Sequence, residues 1–157
     1  MPTDVTAPAA LDAVECRQGS PFHYILRFYE DQAGTTPSDL TGWQFRAQIR
    51  EGVADSNAPI IKDLSSEGSD PGIRFIAVNS ADEPDINGTP DATNGFLYFY
   101  MGSAETALLK TQKAPKPRNF PVVLAFYWDV EGLPPGGEWQ ALAASEFNVT
   151  CEITRGE

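Results

Sequence analysis

Strict alternation of apolar and polar residues constrains this chain more than any other feature of its sequence. In Gln44-Phe45-Arg46-Ala47-Gln48-Ile49-Arg50 the odd positions are apolar and the even ones polar, so a strand sends Phe45, Ala47 and Ile49 to one face. Phe147, Val149, Cys151 and Ile153 alternate in the same way with Glu146, Asn148, Thr150 and Glu152, and Phe22, Tyr24, Leu26 and Phe28 make a third apolar face. Half-buried strands read like this, and a helix does not. Further strands are expected at about Val14 to Gln18, Ile60 to Leu64, Ile73 to Asn79, Phe96 to Met101 and Val122 to Val130, with two closing strands at about Glu138 to Ala143 and Glu146 to Thr154. Turn clusters such as Gly19-Ser20-Pro21 and Asp70-Pro71-Gly72 separate them. The one helical signal is Ser103 to Leu109, where good helix formers follow a serine able to cap them.

About eight or nine short strands with one helix predict an all-β fold, an immunoglobulin-like antiparallel β-sandwich. With 157 residues the chain has the size of one domain. Residues 1–12, rich in Pro, Ala and Thr and free of periodicity, are expected as a flexible N-terminal arm, and residues 13–157 as a single β-sandwich domain. The core should include Phe22, Tyr24, Leu26, Phe28, Phe45, Ala47, Ile49, Leu124, Phe126, Trp128, Phe147, Val149 and Ile153, with Leu40 and Trp43 plugging one end. Phe96-Leu97-Tyr98-Phe99-Tyr100-Met101 is apolar on both phases, which predicts a strand covered on both faces or one whose outer face meets another subunit. The segment from Ser80 to Gly95 is expected as a long loop.

Charge narrows the partners. The chain carries 22 acidic and 11 basic residues, a formal net charge of −11, and a surface of that sign repels phosphate. Nucleic acid and anionic membrane are therefore not expected as partners. The first residues carry neither the basic cluster nor the apolar run of a secretory signal, and the longest apolar stretch, Val122 to Trp128, is too short to span a bilayer.

Candidate chemistry is sparse. His23 is the only histidine and sits on the polar phase between Phe22 and Tyr24, with no local partner for catalysis or metal binding. Neither a nucleophile elbow nor a phosphate-binding glycine loop is present. Residues 83–94 partly imitate a calcium loop, but the last position is Asn94 where two carboxylate oxygens are needed, and the turn chemistry of Asn-Gly and Pro accounts for the same letters. No catalytic, cofactor or metal residue is assigned. Cys16 and Cys151 each lie on the apolar phase of a strand and read as buried free thiols, with a bridge between first and last strands as the alternative. Candidate contact residues are Lys110, Lys113, Lys116 and Arg118, which concentrate basic charge on an acidic chain, with Phe120 as an apolar anchor and Trp139 as the most exposed tryptophan. A carbohydrate platform built from Trp43, Trp128 and Trp139 is an alternative use of the aromatics.

The order of segments also carries a resemblance. Arg17-Gln18-Gly19-Ser20-Pro21-Phe22, Leu26 to Phe28 with Glu30-Asp31, and Asp39-Leu40-Thr41-Gly42-Trp43 leading into Gln44 to Arg50 resemble small β-sandwich domains of tailed bacteriophages, including the N-terminal domain of phage baseplate upper proteins. Ser103 to Leu108 resembles the short helix of those domains, Phe126-Tyr127-Trp128-Asp129-Val130 the strand after it, and Glu146 to Thr154 their closing strand. This chain differs by the long segment 80–95 and the proline-rich segment 111–121. The resemblance implies a non-enzymatic virion structural protein, assembled in the host cytoplasm. Its place would be a tail or baseplate component or a fibre-adaptor module, or else a capsid decoration (cement) protein of the head. Its partners would be other virion structural proteins, or further copies of the chain in a symmetric assembly.

Overall fold

A computed structural model of the chain describes residues 9–10, 12–31, 33–51, 59–68, 72–109 and 123–150. The strands are β1 (Ala9–Ala10), β2 (Val14–Arg17), β3 (Phe22–Arg27), β4 (Gln44–Glu51), β5 (Ile60–Ser65), β6 (Ile73–Arg74), β7 (Ala77–Val78), β8 (Pro84–Asp85), β9 (Phe96–Met101), β10 (Val123–Leu133) and β11 (Gln140–Thr150). One helix, α1 (Ser103–Thr106), and one 3-10 turn (Ala92–Asn94) complete the described elements.

Two sheets face each other. The larger has the order β1-β11-β10-β4-β5, with β2 also paired to β11, and the smaller has the order β3-β9-β6. Alternation along β4 puts Phe45, Ala47 and Ile49 inside, and β10 and β11 add Leu124, Phe126, Trp128, Val130, Phe147 and Val149. The smaller sheet contributes Phe22, Leu97, Phe99, Met101 and Ile73 to the same core. Trp128 joins the layers, its ring lying 5.5 Å from Tyr24 and 5.3 Å from Phe99 across the sandwich and 5.5 Å from Phe147 in its own sheet. This is an all-β immunoglobulin-like sandwich, with the four-strand face β11-β10-β4-β5 opposite a three-strand one.

Several details depart from the sequence reading, each for a physical reason. The fold is antiparallel except at one margin, where β1 and β2 run parallel to β11, with Ala9 beside Ala143 and Val14 beside Phe147. Ala9 and Ala10 lie inside the expected arm, yet the free edge of β11 offers backbone groups that any strand can take up. The two expected closing strands are one. A bulge opposite Val130 and Glu131 leaves Leu142 without a register partner, so Leu142 and Ala143 both face the core and the alternation changes phase mid-strand. Tyr24 and Leu26 are only half-buried because β3 is an edge strand of the smaller sheet, and Phe28, just past its end, is half-buried as well. Ile153 and Cys151 lie outside the described residues. Cys16 is a buried free thiol, and burial pushes its pKa up to about 11.

The helix is shorter than the expected Ser103 to Leu109. Gly102 is its N-cap, and Glu105 Oε1 accepts from the Gly102 N–H at 3.0 Å. Lys62 Nζ lies 2.7 Å from Glu105 Oε2, and that hydrogen bond holds the Glu105 carboxyl below its ordinary pKa. Thr106 Oγ1 donates to the Ser20 carbonyl at 2.8 Å and accepts from Gly19 N–H at 3.0 Å, tying the helix to the β2–β3 turn.

The segment expected as a long loop is folded, and it settles which cover the doubly apolar strand β9 has. β7 and β8 form a small hairpin over the outer face of the smaller sheet. There Ile76, Phe96 and Tyr98 are buried in a second core with Ile25, Val78, Ile86 and Tyr100 packed against it. Asn94 is buried at the seam, its Nδ2 donating to the Ile76 carbonyl at 2.8 Å and its Oδ1 accepting from Phe96 N–H at 2.9 Å. Gly95 follows with φ +78°, and a Cβ there would stand 2.4 Å from the Phe28 carbonyl oxygen, so only glycine fits. Arg27 completes the seam, donating to Asp82 through both terminal nitrogens at 2.8 Å while its guanidinium covers the Phe96 ring.

Candidate functional site

Of the two outward sheet faces of the sandwich, one is thus covered by the chain's own hairpin. The other, the outer face of β5-β4-β10-β11, carries the polar phase of the same strands whose apolar phase makes the core. Register fixes its rows. Arg50 stands beside Tyr127, Gln48 beside Asp129, Arg46 beside Glu131 and Gln44 beside Leu133. On the outer flanks, Glu146 pairs with Tyr127 and Asp63 with Gln48.

The face is therefore striped: donors along β4, acceptors and an aromatic ring along β10. Within the chain the stripes are partly linked. Arg46 Nε donates to Glu131 Oε1 at 2.7 Å, Gln48 Nε2 to Asp63 Oδ1 at 2.9 Å, and Arg50 Nη2 to Gln48 Oε1 at 2.5 Å. Asp129 is the exception at the centre. Its Oδ1 is buried and has no hydrogen-bond partner among the described residues. Burial raises the Asp129 pKa and Glu131 adds to the rise, while Arg50 and Arg46 oppose it. A carboxyl with a raised folded-state pKa holds its proton to higher pH than the unfolded chain does. Stability contributed by this group is therefore lost as pH rises above the unfolded value of about 4. Asp129→Asn should accordingly gain stability relative to the wild type between acid and neutral pH, measured by denaturant unfolding in dilute solution. A difference that stays flat across that range would contradict the assignment.

Trp139, the expected exposed tryptophan, sits at the end of this face with 36% of its surface exposed, and the Arg46 guanidinium covers one side of its ring at 4.1 Å. Trp43 and Trp128 are core residues, so the three tryptophans do not form one platform. Lys110, Lys113, Lys116, Arg118 and Phe120 lie outside the described residues. His23 is exposed on its strand, stacks on Tyr98 at 5.8 Å and is hydrogen-bonded to the Tyr98 hydroxyl. The oxygens of the calcium-like segment cap local turns: Asp85 Oδ1 accepts from Asn87 N–H at 3.0 Å and Asp91 Oδ1 from Thr93 N–H at 2.9 Å. Among the described residues no three His, Cys, Asp or Glu side chains gather as a metal site would need. Arg46, Gln48, Arg50, Tyr127 and Asp129 are not among the contact residues expected from sequence. The available signal was the polar phase of β4 set against that of β10, cationic on one strand and acidic on the other.

Comparison with known protein families and with curated proteins finds no match to this chain.

Proposed function

We propose that this chain is a non-enzymatic structural protein of a tailed-bacteriophage virion, a tail or baseplate component or fibre-adaptor module working through protein–protein contacts. The observation that carries the protein–protein reading is the asymmetry of the two sheet faces: one is sealed by a hairpin with its own core, and the other displays ordered stripes of opposite charge around a half-buried carboxyl, one oxygen of which has no hydrogen-bond partner among the described residues. Sites for small substrates are concave and convergent. A striped, open sheet face fits a macromolecular surface instead.

The phage assignment rests on the sequence resemblance, whose strand and helix segments fall on β3, β4, α1, β10 and β11, while Gly19-Ser20-Pro21, Glu30-Asp31 and Asp39 to Trp43 fall in the connections between strands. The basic segment with Lys110, Lys113, Lys116, Arg118 and Phe120 remains a proposed contact with an acidic neighbour. Quantitative mass spectrometry of purified particles tests the reading. The chain is expected at a fixed copy number set by the symmetry of the particle. Recovery only from the soluble fraction of infected cells, with none in the particles, would overturn it.

A further inference from the structure

We propose that the open face of the large sheet is an isologous interface between two copies of this chain, the β4 stripe of each lying on the β10 stripe of the other. The inference deepens the protein–protein reading and rests on it. On one copy the rows read Arg50–Tyr127, Gln48–Asp129 and Arg46–Glu131 from β4 to β10. A two-fold axis parallel to the strands and midway between β4 and β10 exchanges the stripes at each height. Arg50 then meets the Tyr127 ring of the second copy, Gln48 meets Asp129, and Arg46 meets Glu131.

Three successive rows are complementary under this one operation, and neighbouring choices of axis are not. An axis directly over β10 would set Asp129 on Asp129 and Glu131 on Glu131, and one over β4 would set Arg46 on Arg46 and Arg50 on Arg50. Charge therefore selects the symmetry. Sheets packed face to face keep their strands within about 30° of one another, which an axis along the strands allows. An unrelated partner would have to reproduce the same order of groups. A second copy has it by construction.

The experiment uses the full chain at about 100 μM and physiological ionic strength, where a Debye length of about 8 Å screens the long-range repulsion between two acidic copies. Sedimentation equilibrium is expected to show a monomer–dimer equilibrium for the wild type. Arg46→Glu and Glu131→Arg, each alone, place like charges across the interface and should weaken self-association at least tenfold. Mixing the two single variants should restore dimers, because each then presents the stripe the other lost. That recovery cannot come from damage to the fold. If either variant fails to fold, Asp129→Ala carries the test: it removes a desolvated carboxylate, so the monomer should melt no lower than wild type while dimerisation weakens. A folded wild type that stays monomeric overturns the interface, as does a dimer indifferent to these changes or singles that do not recover on mixing. A monomeric chain still present at fixed copy number in particles would sink this inference alone and point to a different protein as the occupant of the face.

Discussion

Trp128→Ala is expected to lower the stability of the domain by about 3 to 5 kcal/mol and its melting temperature by roughly 6 to 20 °C. Trp128 is fully buried and is the largest of the core side chains that are entirely shielded from solvent. Its ring makes edge contacts with Tyr24 and Phe99 of the opposite sheet and with Phe147 of its own, and its Nε1 donates to Ser145 Oγ at 2.8 Å. Truncation leaves a cavity between the two layers that neither backbone can close, and it strips a buried hydroxyl of its donor. Domains of this kind have total stabilities of about 5 to 15 kcal/mol, so the variant should stand near its folding limit. Trp139→Ala is the control, since it removes a partly exposed ring and one cation–π contact and should cost about 1 kcal/mol or less. Thermal unfolding followed by circular dichroism decides the matter, and equal melting of the two variants would show that Trp128 does not join the sheets.

The second large effect is local. Asn94→Ala removes two buried hydrogen bonds and leaves the Ile76 carbonyl and the Phe96 N–H unpaired, at a cost of about 1 to 3 kcal/mol each. Both bonds lie at the seam between the β7–β8 hairpin and β9. Release there should free the hairpin and expose the small core of Ile76, Phe96 and Tyr98, while the sandwich core stays closed. Hydrogen exchange resolves this: amides of residues 77–88 are expected to exchange much faster in the variant, with those of β10 and β11 little changed. Uniform acceleration along the whole chain would mean that Asn94 supports the domain rather than the insertion.

How far the sequence carried the reading depended on whether its pattern was local. Phe45, Ala47 and Ile49 on β4, and Leu124, Phe126 and Trp128 on β10, are in the core where simple alternation put them, because burial alternates along each strand without interruption and one face stays wet. β11 was harder. Its bulge at Leu142 interrupts the period, and a change of phase in one strand looks the same in sequence as a gap between two. The cover over β9 came from Ile76, Val78 and Ile86, scattered among turn residues with no period of their own. Their common face exists only once the hairpin has folded back. The open face was written in plain view as the polar half of an alternating pattern, but polar residues on a strand ordinarily meet only water. Nothing in β4 alone reveals that its arginines stand beside the acids of β10, since that adjacency joins residues about 80 positions apart through a pairing absent from the local sequence.

The pairing of β2 with β11 has a consequence for how the molecule is made. Glu15 and Asn148, hydrogen-bonded in the finished sheet, are 133 residues apart. At about 5 to 20 residues per second, a ribosome needs roughly 7 to 27 s to travel from one to the other. β4 must also wait for β10, so the emerging first half holds only the β4–β5 hairpin as a pairing within the large sheet. For that interval the alternating strands are exposed tapes with sticky edges, and crowding on one messenger brings identical tapes close together. The large sheet is complete only once β11 has emerged. The acidic surplus spread along the chain then serves a second purpose, keeping unfinished copies apart until β11 arrives.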